Sequence, residues 1–519
     1  MVERKYPLGL QTFSVLREGH YVYVDKTALV HKMASTEYSY FLSRPRRFGK
    51  SLLVTTLESY FQGRKELFKG LAIEQLEKDW TVYPVLRLDM SQGKYFDMPA
   101  LHSTINSVLS DYEKMYQVDV PLSDRQSYSV RLKNIILAAY QKTGKKVVIL
   151  IDEYDAPMLD TLTKDDVQDA VRDIMRDFFR PLKAQSQYLR FVFITGITKF
   201  SQMSIFSELN NLNVISMNSE YESICGVSED ELLTVMKPDV ENLAETMGVS
   251  FDETVAKLKY YYDGYHFTKN FKDIYNPFSL IYAFYNKEIS NYWFSTGTPT
   301  MLVDLLRKQE MDMPELEGFV TAAERFDIPA DRVADPIPVL YQSGYLTLKD
   351  YSPDFDEYTL GFPNEEVRRG FAGSLYNYYM EQYVGSRDVI RRAYIKLYKG
   401  GTIDEFLQTL QTFYSKMPYK LENKNERHYQ ALFYAVMVAI GADVRVEEPT
   451  AVGRMDIVLK MPKDIYILEF KYGKSSEQAL CQVLDKDYAI LYSDDPRPVT
   501  CIGINFSRET RTITDWKIG

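Results

Sequence analysis

The 519-residue chain is poor in the residues that build metal clusters and disulfide scaffolds. Its three cysteines, Cys225, Cys481 and Cys501, show no CxxC spacing and leave one unpaired in any bridging scheme. That excludes a disulfide framework and fits a reducing compartment. Five histidines are scattered singly, so no zinc cluster is expected. A basic excess is also missing. The formal net charge is -10, so there is no global field to hold nucleic acid, and any such contact needs a local patch. No uncharged apolar run approaches the length of a membrane span. The opening MVERKYPLGL lacks the apolar core of a signal peptide. A soluble, cytoplasmic protein without a membrane partner is therefore expected. The 45% hydrophobic content is enough for ordinary buried cores, and the length suggests about three domains.

With no internal repeat or long linker, boundaries come from changes of pattern. Residues 38–195 alternate short apolar runs (YSYFL, YPVLRLDM, KKVVILID, LRFVFITG) with stretches of helical spacing at 51–62, 100–114, 127–141 and 165–185. Alternating strands and helices predict an α/β fold with a parallel sheet covered on both faces, over residues 1–220. Residues 221–420 are rich in Tyr and Phe and read as a mostly helical middle region. Within it, PVLYQSGYLTLKD and EYTLGFPN predict a helix followed by a two-stranded hairpin, either a winged-helix element or a lid packed on the first domain. Residues 421–519 change again. NERHYQALFYAVMVAIG is a helix. DVRVEE, RMDIVLKM and IYILEFKY read as strands, SSEQALCQVLDKD as a helix and YAILYS as a last strand, giving the order αβββαβ.

Two constellations carry chemistry. The first is Gly49-Lys50-Ser51, which follows the strand YSYFL and opens the helix SLLVTTLESYFQG. Backbone N–H groups of a loop leading into a helix point at phosphates, and the helix dipole favours their charge. Lys50 is expected to reach the terminal phosphates of ATP, and the Ser51 hydroxyl to ligate Mg²⁺. The usual motif begins with glycine where this chain has Arg44. Arg44, Arg46 and Arg47 either add phosphate contacts or face a neighbouring surface. Phe48 and Leu52 flank the Gly-Lys-Ser core and complete the candidate nucleotide-binding set. The buried strand VVILID ends in Asp152 and Glu153. Asp152 is expected to hold the Mg²⁺ ion and Glu153 to orient or deprotonate the attacking water. Thr195 and Thr198, at the end of LRFVFITG, are candidate sensors of the terminal phosphate.

YPLGLQTFSVLREGHYVYVDKTALV, RPRRFGKS, VVILIDEYDAP, FITGITKFSQMSIFSELNNL and YYDGYHF together resemble the AAA-ATPase-like family, across nearly the whole chain. The resemblance implies a P-loop ATPase in which the arginine-bearing loop is the usual pattern. Members often carry a C-terminal PD-(D/E)XK nuclease domain, and ATPases of this kind often act in trans through an arginine from a neighbour, which leaves an oligomer possible and the oligomeric state open. It attaches no chemical role to Tyr262, Asp263, Gly264, Tyr265 and His266.

The second constellation lies in the last hundred residues. Asp456 sits in GRMDIV, and Glu469 and Lys471 in LEFKY. Residues i and i+2 on a strand share a face, so Glu469 and Lys471 project together, and Asp456 on the adjacent strand can join them. Two carboxylates can hold a divalent ion on a scissile phosphate, with Lys471 positioning the attacking water. Glu426 on the preceding helix and Gln482 on the following helix can reach the same cleft. The arrangement resembles the PD-(D/E)XK nuclease superfamily, with Met455 in place of the proline. Residues 421–519 hold 13 Lys and Arg against 15 Asp and Glu, which is not the basic balance of a domain built to hold DNA or RNA. Two readings follow. One is a nucleotide-controlled, metal-dependent nuclease. The other is a nucleotide-dependent switch whose C-terminal fold binds nucleic acid or a partner without cutting.

Overall fold

A computed structural model describes residues 4–36, 38–95, 97–121, 127–161, 164–199, 212–294, 302–303, 306, 309, 311–327, 335–379, 386–416, 426–450, 453–486, 488–510 and 512–519. Expectations for residues 200–211, in the FSQMSIFSELNNL stretch, lie outside them. The described chain divides into two compact units. One comprises Met1–Trp293 with Gly318–Glu365, and the other Phe294–Glu317 with Glu366–Gly519. The stretch expected as one middle region, 221–420, is thus divided between the two.

The first unit is built on a parallel sheet of β1 (Ser39–Ser43), β2 (Val85–Asp89), β3 (Val147–Asp152), β4 (Leu189–Gly196) and β5 (Leu212–Val214), in the order β2-β3-β4-β1-β5. Helices α1 (Lys50–Phe61), α2 (Met98–Tyr116), α3 (Tyr128–Thr143) and α4 (Asp165–Phe179) alternate with these strands. Every residue of β3 is buried, as a central parallel strand requires. On α2, Leu101, Ile105, Val108 and Leu109 form one buried stripe, and on α3 Leu132, Ile135, Ile136 and Ala139 form another. Each large aliphatic side chain buried in this way contributes about 1.5–3 kcal/mol. The helix expected over 165–185 is interrupted. Pro181 has no N–H to continue the ladder, and a separate turn, Pro181–Ala184, begins there.

The order places β4 between β1 and β3. The strand leading into the Gly-Lys-Ser loop and the strand ending in Asp152 are therefore separated by one strand, and the crevice at their carboxyl ends is where open α/β sheets bind ligands. In register, Ser43 lies beside Gly196, and Asp89 beside Asp152.

Beyond the sheet, α5 (Phe251–Tyr262) and α6 (Pro277–Asn286) pack around Val227, Leu232, Val240, Leu258 and Leu280. A three-stranded antiparallel module follows. It contains β6 (Phe319–Ala322), α7 (Pro336–Gln342), β7 (Thr347–Ser352) and β8 (Glu357–Gly361), with strand order β6-β8-β7. The helix and hairpin of the sequence reading are present, joined by a third strand, and the module belongs to the first unit.

In the second unit, α8 (Glu365–Tyr379), α9 (Ser386–Tyr398) and α10 (Ile403–Ser415) precede α11 (Glu426–Ile440). Then come β9 (Asp443–Thr450), β10 (Gly453–Lys460), β11 (Ile465–Tyr472), α12 (Ser476–Asp485), β12 (Val499–Phe506) and β13 (Ile513–Ile518). These strands form one mixed sheet in sequence order, with β11 and β12 parallel across α12. The order is thus αβββα followed by two strands. YAILYS, expected as a strand, is instead a 3₁₀ turn over Tyr488–Tyr492. Tyr488 and Tyr492 are buried while Ile490 and Leu491 are exposed. That is the spacing of a helical turn, not the alternation of a strand. The last expected strand is supplied by VTCIGINF.

Candidate functional site

The phosphate loop runs from the end of β1 into α1. Gly49 caps the helix in the left-handed conformation, at φ +93°, which a residue without Cβ adopts at no steric cost. Lys50 is buried, and its Nζ donates to Arg44 O at 3.0 Å and Pro45 O at 3.1 Å. The ammonium is thus held at the mouth of the loop on acceptors that phosphate oxygens can replace. Phe48 locks the outer side of the loop. Its ring packs edge-on against Tyr265 and Phe267, and its carbonyl accepts Gly226 N at 3.1 Å.

The three arginines divide. Arg46 and Arg47 are exposed on the loop, Arg47 in the left-handed conformation at φ +67° with its guanidinium 5.0 Å from the Phe278 ring. Arg44 turns inward. Its guanidinium donates to Ser43 O (3.0 Å), Ser216 O (2.7 Å) and Tyr221 O (3.4 Å) and stacks 4.0 Å from the Phe267 ring. Burial pushes it down to about 10. Its two terminal nitrogens serve protein carbonyls while its buried Nε has no partner, so the Arg44 side chain turns into the protein and anchors the start of the loop.

Across the crevice, Asp152 is buried, and its Oδ1 has no hydrogen-bond partner. Burial raises its carboxyl to about 6, the neighbouring Glu153 and Asp89 add to the rise, and the Ser51 hydroxyl beside it works the other way. An orphaned acceptor facing a serine hydroxyl fits a hydrated Mg²⁺. Glu153 is half-buried and stands at φ +47°, an uncommon backbone for a non-glycine residue. The buried Thr195 hydroxyl donates to Leu42 O at 2.8 Å. Thr198 donates to Asp155 Oδ2 at 2.7 Å.

An apolar cavity of about 100 Å³ adjoins the loop. It is lined by Val22, Val24, Gly49, Leu52, Val227 and Ile281, among others. Leu52 therefore faces this cavity.

In the second unit the structure brings Glu426, Glu469, Lys471 and Gln482 together. Lys471 Nζ lies 2.9 Å from Glu426 Oε1 and 3.1 Å from Glu469 Oε1, and Gln482 Nε2 donates to the same Glu469 oxygen. Glu469 is buried, and its Oε2 has no partner, an acceptor that suits a divalent ion. Burial raises the Glu469 carboxyl. Burial opposes the charge of Lys471, but Glu426 and Glu469 together outweigh it and raise the ammonium. Ile457 pairs with Leu468, so the next residue, Asp456, falls opposite Glu469 on the adjacent strand. The Asp456 side chain lies outside the described residues.

Family models match in two places. The model of predicted AAA-ATPases, AAA-ATPase-like, matches residues 7–206, and that of the PD-(D/E)XK nuclease superfamily matches residues 424–516. A protein described as an uncharacterized protein in the vnfD 5' region of Azotobacter chroococcum mcd 1 is 34% identical over 538 residues, with 100% of this chain and 99% of that one covered. The chain belongs to the AAA-ATPase-like family, with a PD-(D/E)XK nuclease superfamily domain at its C-terminus. A solved structure of a signal transduction ATPase with numerous domains, bearing a tetratricopeptide-repeat sensor, from Pyrococcus horikoshii, is 10% identical with a TM-score of 0.22. That match covers 81% of this chain and 52% of the other, so this chain spans about half its length. No helix among the described residues is long and apolar enough to cross a membrane.

Three features of this AAA-ATPase-like unit escaped the sequence reading. Asp89 ends β2 in register with Asp152, and VLRLD and VVILID both finish on aspartate, which was a usable signal. Asp155 is buried, and its Oδ2 accepts from Ile197 N (3.0 Å), Thr198 N (2.6 Å) and Thr198 Oγ1. Gly196 is obligatory there, since a Cβ would stand 2.4 Å from Asp155 Oδ1. The YYDGYHF signature also acquires a place. His266 N donates to Thr347 Oγ1, His266 Nδ1 donates to Leu348 O, and Asn364 Nδ2 donates to Asp263 O. The signature stitches α5 to the three-stranded module.

Proposed function

We propose that the protein binds ATP with Mg²⁺ in the first unit, hydrolyses it, and thereby controls a metal-dependent nuclease in the second. The observation that carries the ATP reading is the presence, at the same end of the parallel sheet, of the Lys50 ammonium and of a buried Asp152 oxygen that has no partner. Lys50 would exchange its loop carbonyls for the terminal phosphate oxygens, and loop N–H groups at the start of α1 would hold the rest. Ser51 and Asp152 would hold the Mg²⁺, and Glu153 would take the proton of the attacking water. The apolar cavity beside Gly49 supports a nucleoside triphosphate over bare polyphosphate, since it offers the base an apolar bed contiguous with the loop.

For the nuclease, Asp456 and Glu469 would hold a divalent ion. Gln482 would orient Glu469, and Glu426 would hold Lys471 where it offsets charge on the attacked phosphate. At both sites the bound ion supplies charge neutralisation on phosphate oxygens, and at the second it also acidifies a water. DNA or RNA is the proposed substrate. The near-neutral charge of residues 421–519 favours one further reading, a nucleotide-dependent switch whose nuclease fold binds without cutting.

Two measurements test this. Lys50→Ala is expected to abolish ATP binding in a titration of the full chain, and unchanged affinity would refute the loop assignment. Cleavage of DNA and RNA in Mg²⁺ or Mn²⁺ is expected for wild type and absent in the Asp456→Ala, Lys471→Ala double variant. Equal behaviour of the two on every substrate would leave the switch as the reading.

A further inference from the structure

The end of β4 is tied to two different parts of the first unit. On one side it is locked to the Asp152–Asp155 turn. Asp155 grips Ile197 and Thr198 as described, Tyr154 N donates to Thr195 O at 3.2 Å, and the Tyr154 hydroxyl donates to Thr198 O at 3.1 Å. These bonds flank Glu153 and hold its left-handed backbone. On the other side stands Lys199, which is buried. Its N–H donates to Gln342 Oε1 at 2.7 Å, and its Nζ forms an ion pair with Asp327. Gln342 ends α7, and its Nε2 donates to Phe326 O at 3.1 Å, so both partners of Lys199 belong to the three-stranded module. The same module touches the phosphate loop. Gly344 stands at φ +86°, and a Cβ there would lie 2.6 Å from Pro45 Cβ. In the chain, the module is preceded and followed by segments of the second unit, Phe294–Glu317 and Glu366 onward.

A Lys–Asp pair with a buried ammonium and a partly buried carboxylate is a poor adhesive. Desolvation offsets most of its attraction, and an apolar pair of similar size commonly stabilises as well or better. A lysine at this position therefore asks for a reason other than cohesion. We propose that Lys199 is a positioning residue. It ties the turn carrying Glu153 to α7 of the module, so that the geometry of hydrolysis and the placement of the module depend on each other. The proposal rests on the ATP reading above. It gives that reading an output, since a module clamped at Gly344 and Lys199 senses both walls of the nucleotide crevice and leads directly into the second unit.

The test uses the full chain with ATP and Mg²⁺. Hydrogen exchange of peptides within 336–361 is measured with and without nucleotide for wild type, Lys199→Met, Asp327→Asn and the double variant. ATP affinity and turnover are measured in parallel. In wild type, nucleotide is expected to change protection of these peptides at least tenfold. In each single variant this change should be lost and kcat should fall at least tenfold, with Kd and KM within twofold. The double variant should be no worse than either single one, because both remove the same tie. Lys199→Arg should restore part of both readouts. Wild type that fails to bind ATP overturns the ATP reading, and this proposal with it. Wild type that binds ATP, while the variants keep a wild-type exchange response, overturns the proposal alone. So does an additive loss in the double variant. Asp327→Asn decides the matter should Lys199→Met fail to fold.

Discussion

Asp263 lies in the YYDGYHF signature at the end of α5, almost wholly buried, with no well-formed hydrogen bond on either carboxylate oxygen. Burial is the main cause that lifts its pKa to about 7, from an ordinary 3.8, and Asp273 and Glu229 push it further. Lys259 Nζ, 3.9 Å away, acts against the rise but is shared with Asp273 at 2.8 Å and Glu229 at 3.5 Å. Burial and then the Asp263 charge push the nearby Tyr275 hydroxyl up. A carboxyl whose folded pKa exceeds its unfolded pKa holds a proton that the unfolded chain releases. Stability therefore falls as pH rises from about 4 to about 7 and levels off above that. A rise of about three units at about 1.4 kcal/mol each amounts to a cost on the order of 4 kcal/mol at pH 8. Asp263→Asn keeps the shape and removes the charge, so the penalty should vanish. The chain has two compact units, and a single global unfolding energy would blur the effect. The informative assay is hydrogen exchange of the α5 amides from pH 5 to pH 8, corrected for intrinsic rates. Wild-type opening should become easier by on the order of a hundredfold across that range, while Asp263→Asn should stay flat and be the better protected at pH 8. Parallel curves for the two proteins would refute the reasoning, since the buried carboxyl would then not carry the pH dependence.

Two other outcomes follow from the same geometry. Ile281→Trp should fill the cavity beside Gly49 and lower ATP affinity at least tenfold while leaving inorganic tripolyphosphate untouched in calorimetric titration. Equal losses for both ligands would place the base elsewhere. Gly264→Ala should cost about 2–4 kcal/mol of local stability, because the residue sits at φ +82° and its Cβ would meet Pro363 O at 2.2 Å. Limited proteolysis of the module should then become faster, and an unchanged digestion rate would count against the signature as its brace.

The sheet was legible because its strands announce themselves by burial. VVILID has no polar break until Asp152, and the whole run is buried in the centre of the sheet. YAILYS looked equally apolar but is a turn, since composition alone does not separate period two from period four over five residues. The module was half legible. The hairpin is local, but its third strand, Phe319–Ala322, pairs with β8 from nearly forty residues away, and short range patterns carry no information about that partner. At the sites, residue type was readable throughout and direction only in part. Lys50, Ser51, Asp152 and the Glu426–Glu469–Lys471 group converge, because strand alternation and the helix start fix where they point. Thr195 and Arg44 carry suitable chemistry but turn to Leu42 O and to the carbonyls of Ser43, Ser216 and Tyr221. Asp155 was passed over because the acidic strand end appeared complete at Glu153.

Arg44 also shows how the backbone of this loop dispenses with the usual first glycine. Glycine is needed where the backbone must enter the left-handed region or where a Cβ would collide. In this loop the left-handed residues are Arg47 and Gly49, and position 44 is not among them. The backbone there imposes no demand that only glycine meets, and Arg44 N already donates to Gly196 O as an extension of the β1–β4 ladder. A large side chain is therefore free to do something useful. Arg44 fixes the start of the loop to three carbonyls and an aromatic face, and Phe48 fixes the end, so the segment between them is held from both sides. The strain that remains sits at Arg47, where a non-glycine left-handed backbone costs roughly 1–2 kcal/mol. That cost falls at an exposed position, where the guanidinium lies over the Phe278 ring. The loop thus takes its left-handed turns at Arg47 and Gly49, next to Lys50, and leaves position 44 extended along the strand ladder.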